Sequence, residues 1–177
     1  SIYKKINPKG FISIKIYDYK MMIPLQYDGI GRALYVYRSR ELDHKWILEN
    51  ELLPGNIVLD LGANIGYYAI MEAKKVGKSG KIYGIEPDPR NIEFLIKNIN
   101  INEIDEIFEF EQGAISNENG KAEFILSSKT NLSALGNVKN QNYVNSIVVQ
   151  KYDFGEYIKN KKRIDLVRMD IEGHEIE

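Results

Sequence analysis

The chain has 177 residues, enough for one domain with a sizeable core. Apolar residues make up 44% and charged residues 28%, as in an ordinary globular protein, and a formal net charge of −1 lacks the basic excess of a phosphate-backbone binder. With no cysteine, disulfides and thiolate metal sites are excluded, which fits a reducing, cytoplasmic setting. No apolar run approaches membrane-spanning length and no secretory leader is visible, so neither a membrane nor a nucleic acid is an expected partner.

In chain order, residues 11–16 alternate apolar and polar, and Asp18-Tyr19-Lys20 can turn the chain into a second strand over Met21–Leu25, a hairpin. Residues 40–53 read as a helix carrying Leu42, Trp46, Leu48 and Leu52, stopped by Pro54-Gly55. These segments form an extension over 1–53, ahead of a nucleotide-binding unit over 54–177. That unit opens with a buried strand, Ile57, Val58, Leu59 and Leu61. Gly62 and Gly66 then allow a tight turn into a helix marked by Ala69, Ile70, Ala73 and Val76, with Gly77 as its stop. Lys81–Ile85 is the second strand. Asp88 is the expected N-cap of the next helix, with Pro89 at its first position and Ile92, Leu95, Ile96 and Ile99 as its apolar stripe.

Ile107–Glu111 reads as a third strand, and 121–126 and 146–150 as two more, with a polar loop at 127–145 that is a candidate cover for an acceptor. Asp153 and Glu156 have capping-box spacing for a short helix, Phe154–Asn160, and the cations Lys159, Lys161, Lys162 and Arg163 suit its C-terminal end. Ile164–Met169 is the last strand. The alternation of strand and helix predicts an α/β fold with a parallel sheet.

Strand ends in such a sheet open into a ligand crevice. Glu86 follows the second strand, where a carboxylate can accept both hydroxyls of a ribose. Dinucleotide sites need Gly-x-Gly-x-x-Gly, and here the position two after Gly62 is Asn64, so a nicotinamide cofactor is disfavoured. At the end of the last strand stand Asp170, Glu172 and His174. Groups of these types can take a proton from an attacking hydroxyl. Two other readings stay open: Asp170 and Glu172 as caps of a helix after Gly173, and a metal set, which Gly173 disfavours by breaking the strand. No metal is assigned.

The run Asp60-x-Gly62-x-Asn64-x-Gly66 resembles motif I of S-adenosylmethionine (SAM) methyltransferases. With Tyr67-Tyr68, Ile85-Glu86-Pro87, Asn98 to Asn102, Gly113-Ala114-Ile-Ser116 and Asp165 to Gly173, it resembles the FkbM family of SAM-dependent methyltransferases over residues 40–177. The resemblance implies a Rossmann-like class I sheet and O-methylation of a small molecule or sugar. It implies SAM binding by Asp60, Gly62, Ala63, Asn64, Gly66, Tyr67, Glu86 and Pro87, with Gln112, Gly113 and Ala114 near the adenine. Asp170, Glu172 and His174 are assigned to the chemistry on their place at the end of the last strand, and the resemblance carries over no role for His174. Three residues depart from the family's usual pattern: Gln112 where an acid is common, Arg168 where lysine is usual, and His174 where a small residue is usual.

The family sheet has the strand order 3-2-1-4-5-7-6, and only the first four strands are recognisable. Truncation after the fourth strand is therefore expected, with an open edge that could pair a homodimer. The alternative to an enzyme is an inactive SAM-binding module acting through a partner.

Overall fold

The computed structural model describes residues 10–25, 30–127, 133–135 and 143–171. A hairpin comes first: β1 (Phe11–Ile16) and β2 (Tyr19–Pro24) pair antiparallel, with Ile16 opposite Tyr19. Two helices follow, α1 (Ile30–Tyr37) and α2 (Leu42–Glu51). The nucleotide-binding unit then runs β3 (Ile57–Leu61), α3 (Tyr67–Val76), β4 (Lys81–Glu86), α4 (Pro89–Ile101) and β5 (Phe108–Gln112). The remainder is β6 (Ala114–Ser116), β7 (Gly120–Ser127), β8 (Ala134–Leu135), β9 (Tyr143–Asp153), α5 (Phe154–Lys159) and β10 (Leu166–Met169).

The central sheet is wholly parallel, in the order β10-β3-β4-β5. Counted along the unit this is fourth, first, second, third, the arrangement expected of one half of a Rossmann-like sheet. The hairpin pairs only with itself, so β10 is an edge strand among the described residues. A second sheet, β6-β9-β7-β8, is antiparallel except where β6 runs beside β9.

Period-two alternation along β3 sorts the core. Val58 points into a large cluster with Ile70, Val76, Leu95 and Ile99 of the helices and with Ile14, Ile16, Met21 and Ile23 of the hairpin. Leu59 and Leu61 point to the other face, against Ile85, Ile115 and Tyr157. The hairpin thus shares the core of the nucleotide-binding unit.

The hairpin is also fastened by polar groups. Met22 N donates to Asn98 Oδ1 at 2.6 Å, and Asn98 Nδ2 donates to Met22 O at 3.0 Å and to Ile65 O at 2.7 Å. One helical turn on, Lys20 N donates to Asn102 Oδ1 and Asn102 Nδ2 donates to Lys20 O. Two asparagines at i and i+4 share one helix face. Their amides supply the donor and acceptor that a neighbouring strand would otherwise offer to β2.

Capping follows expectation. Asp88 accepts from Arg90 N with Pro89 at the helix start, Asp153 accepts from Glu156 N, and Gly77 closes α3. Other expectations are corrected. Helix α1 has no counterpart in the sequence reading; it is eight residues long with Gly31 inside it, and it buries only Ile30, Gly31 and Leu34. On α2 only Leu48 is buried, while Leu42 and Trp46 are exposed. The buried face of α4 is turned by one position, so Phe94 joins Leu95 and Ile99 and Ile96 faces solvent. Within 127–145, β7 reaches Ser127, β8 takes Ala134–Leu135 and β9 starts at Tyr143. The ladder from Gly120↔Lys151 to Ser127↔Tyr143 extends into polar sequence because main-chain pairing needs no apolar side chain.

Candidate cofactor site

A cavity opens at the C-terminal ends of β3, β4 and β10. Gly62, Ala63, Asn64, Tyr67, Glu86 and Pro87 line it, with Gly113 and Ala114 beyond the end of β5 and Asp170 at the end of β10. Phe124, Ser133 and Leu135 close it from the second sheet, and Ile30 and Arg40 come from the segment before β3. Arg90 ties that second sheet to the rim. It donates to Asp88, to Ser127 O at 2.8 Å and to Ser133 Oγ at 3.1 Å.

The glycine loop is shaped by two close approaches. Gly62 has φ +85°, and a Cβ there would stand 2.2 Å from Asp170 O, so only glycine lets the loop pass under the end of β10. Gly62 N and Ala63 N both donate to Ile85 O, at 2.9 and 3.0 Å. Asn64 is left-handed at φ +52°, a conformation asparagine tolerates, and its Oδ1 accepts from Ile65 N. Gly66, at φ +87°, packs against Leu95 rather than against the cavity.

Glu86 is 4% exposed. Its Oε2 accepts from Asn64 N at 2.8 Å, and its Oε1 accepts from Asp88 N at 2.9 Å and from Asn91 Nδ2 at 3.1 Å. Three N–H donors favour the carboxylate, yet burial outweighs them and pushes the group up to about 7. The side chain therefore locks the glycine loop to the start of α4 while still lining the cavity.

Asp60 departs from expectation. It is fully buried and does not line the cavity. Parallel register sets Arg168 directly beside it, and Arg168 Nη1 donates to Asp60 Oδ1 at 2.6 Å. The same nitrogen reaches Gly62 O at 3.3 Å, and Nη2 donates to Asp170 Oδ2 at 3.3 Å. Arg168 thus stands between Asp60 and the cavity, with its guanidinium 4.1 Å above the Tyr68 ring. Burial raises the Asp60 carboxyl, opposed by the Arg168 charge.

Glu72, on α3, belongs to the same buried group and was not singled out from sequence. Among the described residues, neither of its carboxylate oxygens has a hydrogen-bond partner, and neither does Asp60 Oδ2. Burial and then the Asp60 charge drive its carboxyl well above the usual range.

Gln112 is exposed and outside the cavity, its amide 3.5 Å from Pro87 O, because the chain turns inward only at Gly113. Glu172 and His174 lie outside the described residues. Asp170 is held by its own N–H to Leu61 O and by Arg168, with 44% of its side chain exposed at the mouth. Among the described residues, no three His, Cys, Asp or Glu side chains converge as a metal set.

A parallel sheet with a glycine turn at its first strand, an acid at its second and a carboxylate at the mouth from its fourth defines a nucleoside-cofactor-binding α/β protein of the class I methyltransferase type. The methyltransferase FkbM domain matches residues 60–177, and the chain belongs to that family of SAM-dependent methyltransferases. Among curated proteins, ribosomal RNA large subunit methyltransferase E of Desulfosudis oleivorans is 32% identical over 95 residues, 54% of this chain and 44% of that one. Protein-L-isoaspartate O-methyltransferase of Caenorhabditis elegans is 40% identical over 52 residues, 29% of this chain and 23% of that one. The chain spans less than half the length of these relatives. A solved structure of P. horikoshii TYW2 in complex with MeSAdo aligns at TM-score 0.49 and 19% identity, covering 60% of this chain and 37% of that one.

Proposed function

We propose that this chain transfers the methyl group of SAM to a hydroxyl of a small molecule or sugar. Asp170 carries the reading: a carboxylate at the cavity mouth, steered by Arg168 and adjoining the glycine loop. The cavity suits the cofactor. Glu86 stands where ribose hydroxyls would need an acceptor, and Pro87 and Ile115 offer apolar walls to a base. Bound SAM supplies an electrophilic methyl group on a sulfonium. The Asp170 carboxylate would orient the acceptor hydroxyl and take its proton as the acceptor oxygen receives that methyl group. Glu172 and His174, a few residues on in the chain, belong to the same proposal as alternative bases.

A nucleic-acid acceptor is the second reading, favoured by the ribosomal RNA methyltransferases among the relatives. The formal net charge of −1 supports the first. With the methyl donor held inside cells, we place the protein in the cytoplasm. No helix among the described residues is long and apolar enough to cross a membrane. The edge that β10 presents among the described residues is the proposed contact for a homodimer.

Calorimetric titration with SAM, followed by radiolabelled methyl transfer to glycan, small-molecule and ribosomal RNA panels, tests the assignment. Tight NAD binding without SAM binding would overturn it. SAM binding with no transfer to any acceptor would favour an inactive SAM-binding module.

A further inference from the structure

Arg40 precedes residues 60–177, the span the methyltransferase FkbM domain matches, yet it lines the cavity with Gly62, Asn64, Tyr67 and Tyr68. Its position is set by two partners, the Tyr67 hydroxyl and Glu41. Arg40 N donates to the Tyr67 hydroxyl at 3.0 Å, and that hydroxyl donates to Arg40 O at 3.1 Å. Arg40 Nε donates to Glu41 Oε1 at 2.5 Å, and the other Glu41 oxygen accepts from the Tyr68 hydroxyl. The neighbouring backbone is left-handed at two non-glycine residues, Arg38 at φ +56° and Glu41 at φ +45°. Such residues persist where their surroundings over-determine them, and they cluster at ligand clamps.

The terminal nitrogens of Arg40 have no hydrogen-bond partner among the described residues, and 27% of the side chain is exposed. A guanidinium bound at Nε still presents its two Nη groups to a second planar anion, and Glu41 turns it for that purpose. The other cation lining the cavity is not available in this way. Arg168 commits Nη1 to Asp60 and Gly62 O and Nη2 to Asp170. In SAM the one anionic group is the α-carboxylate of the methionine part. Glu86 and Pro87, at the proposed nucleoside wall, belong to the end of β4, whereas Arg40 is fastened to Tyr67 at the start of α3.

We infer that Arg40 binds the α-carboxylate of SAM, so that the segment preceding the family region completes the cofactor site. The inference rests on the SAM reading above. Its test uses two ligands that share the adenosine and sulfur: S-adenosylhomocysteine, which carries the carboxylate, and 5′-methylthioadenosine, which lacks it. Calorimetry on the full chain should show Arg40→Met weakening S-adenosylhomocysteine by about ten- to a hundredfold, the loss of a charge-assisted pair. Binding of 5′-methylthioadenosine should stay within about twofold, and Arg40→Lys should fall between the wild type and Arg40→Met. Unchanged S-adenosylhomocysteine affinity in Arg40→Met overturns the inference, and so does equal weakening of both ligands, which would make this segment a wall only. If Arg40→Met binds neither ligand and also lacks the wild type's cooperative unfolding transition, it has misfolded, and Arg40→Lys then decides: a greater loss for S-adenosylhomocysteine than for 5′-methylthioadenosine supports the inference and an equal loss overturns it. A wild-type chain that binds neither ligand removes the cofactor reading and the inference with it.

Discussion

Replacing Glu86 with glutamine separates the two tasks given to that side chain. In the folded protein its carboxyl is pushed up to about 7, chiefly by burial, from an ordinary value of 4.5. A folded value above the unfolded one means that the native state holds the proton more tightly. The contribution is complete below pH 4.5, fades as pH rises, and is gone above about 7. At about 1.4 kcal/mol per unit, a shift from 4.5 to about 7 amounts to roughly 3 kcal/mol, most of it lost between pH 5 and pH 8.

Glutamine cannot titrate, so this part of the pH dependence should vanish in Glu86→Gln. The substitution has its own cost. All three partners of Glu86 are N–H donors, so the new amide nitrogen must face at least one of them, leaving a buried donor unmatched at about 1–3 kcal/mol. Urea unfolding should find the mutant about 1–3 kcal/mol less stable than wild type at pH 5 and near parity with it at pH 8. Parallel stability curves for the two proteins between those pH values would refute the assignment of that proton to Glu86.

Two further substitutions probe the buried charges. Arg168→Met strips Asp60 of its ion-pair partner at a site with no solvent, and should cost about 3–5 kcal/mol in chemical denaturation at pH 8, less in acid as Asp60 takes up a proton. Glu72→Met removes a buried carboxyl whose oxygens have no partner among the described residues, and should stabilise the chain by about 1–3 kcal/mol at pH 8 in thermal unfolding, the gain shrinking as pH falls toward 4.5, below which the Glu72 carboxyl is neutral in both states.

What could be read from the sequence was whatever rests on neighbours along the chain. The strand–glycine–helix turn at 57–66, the caps at Asp88 and Asp153 and the acid that ends β4 are local patterns, and the structure holds each where its spacing puts it. What depends on neighbours across space was hidden. Asp60 has the composition of a ligand-binding acid, but the register that lays Arg168 beside it turns it into an internal counter-ion. Glu72 looks like one polar residue of an amphipathic helix until α3 is docked and it is found inside. Arg40 sits in a stretch with no local signal, and contacts with the Tyr67 hydroxyl and with Glu41 hold it at the cavity. A signal for Glu72 did exist: it falls in a helix otherwise apolar from Tyr67 to Ala73, where a charged residue has no solvent face to occupy.

Asn98 has a consequence that reaches beyond the hairpin. Its one amide nitrogen spans Met22 O in the leading segment and Ile65 O in the glycine turn, so two stretches far apart in the chain are held at a common point. The stiffness of the turn is therefore borrowed from residues that precede the family region. Trimming the chain to residues 60–177 would keep every glycine and acid of the recognised pattern. It would also leave Asn98 without Met22, empty the core of Ile16, Met21 and Ile23, and free the turn to move. A boundary drawn by family likeness is not a boundary of cooperativity, and a relative that shares the sheet without the hairpin must brace its own turn by other means.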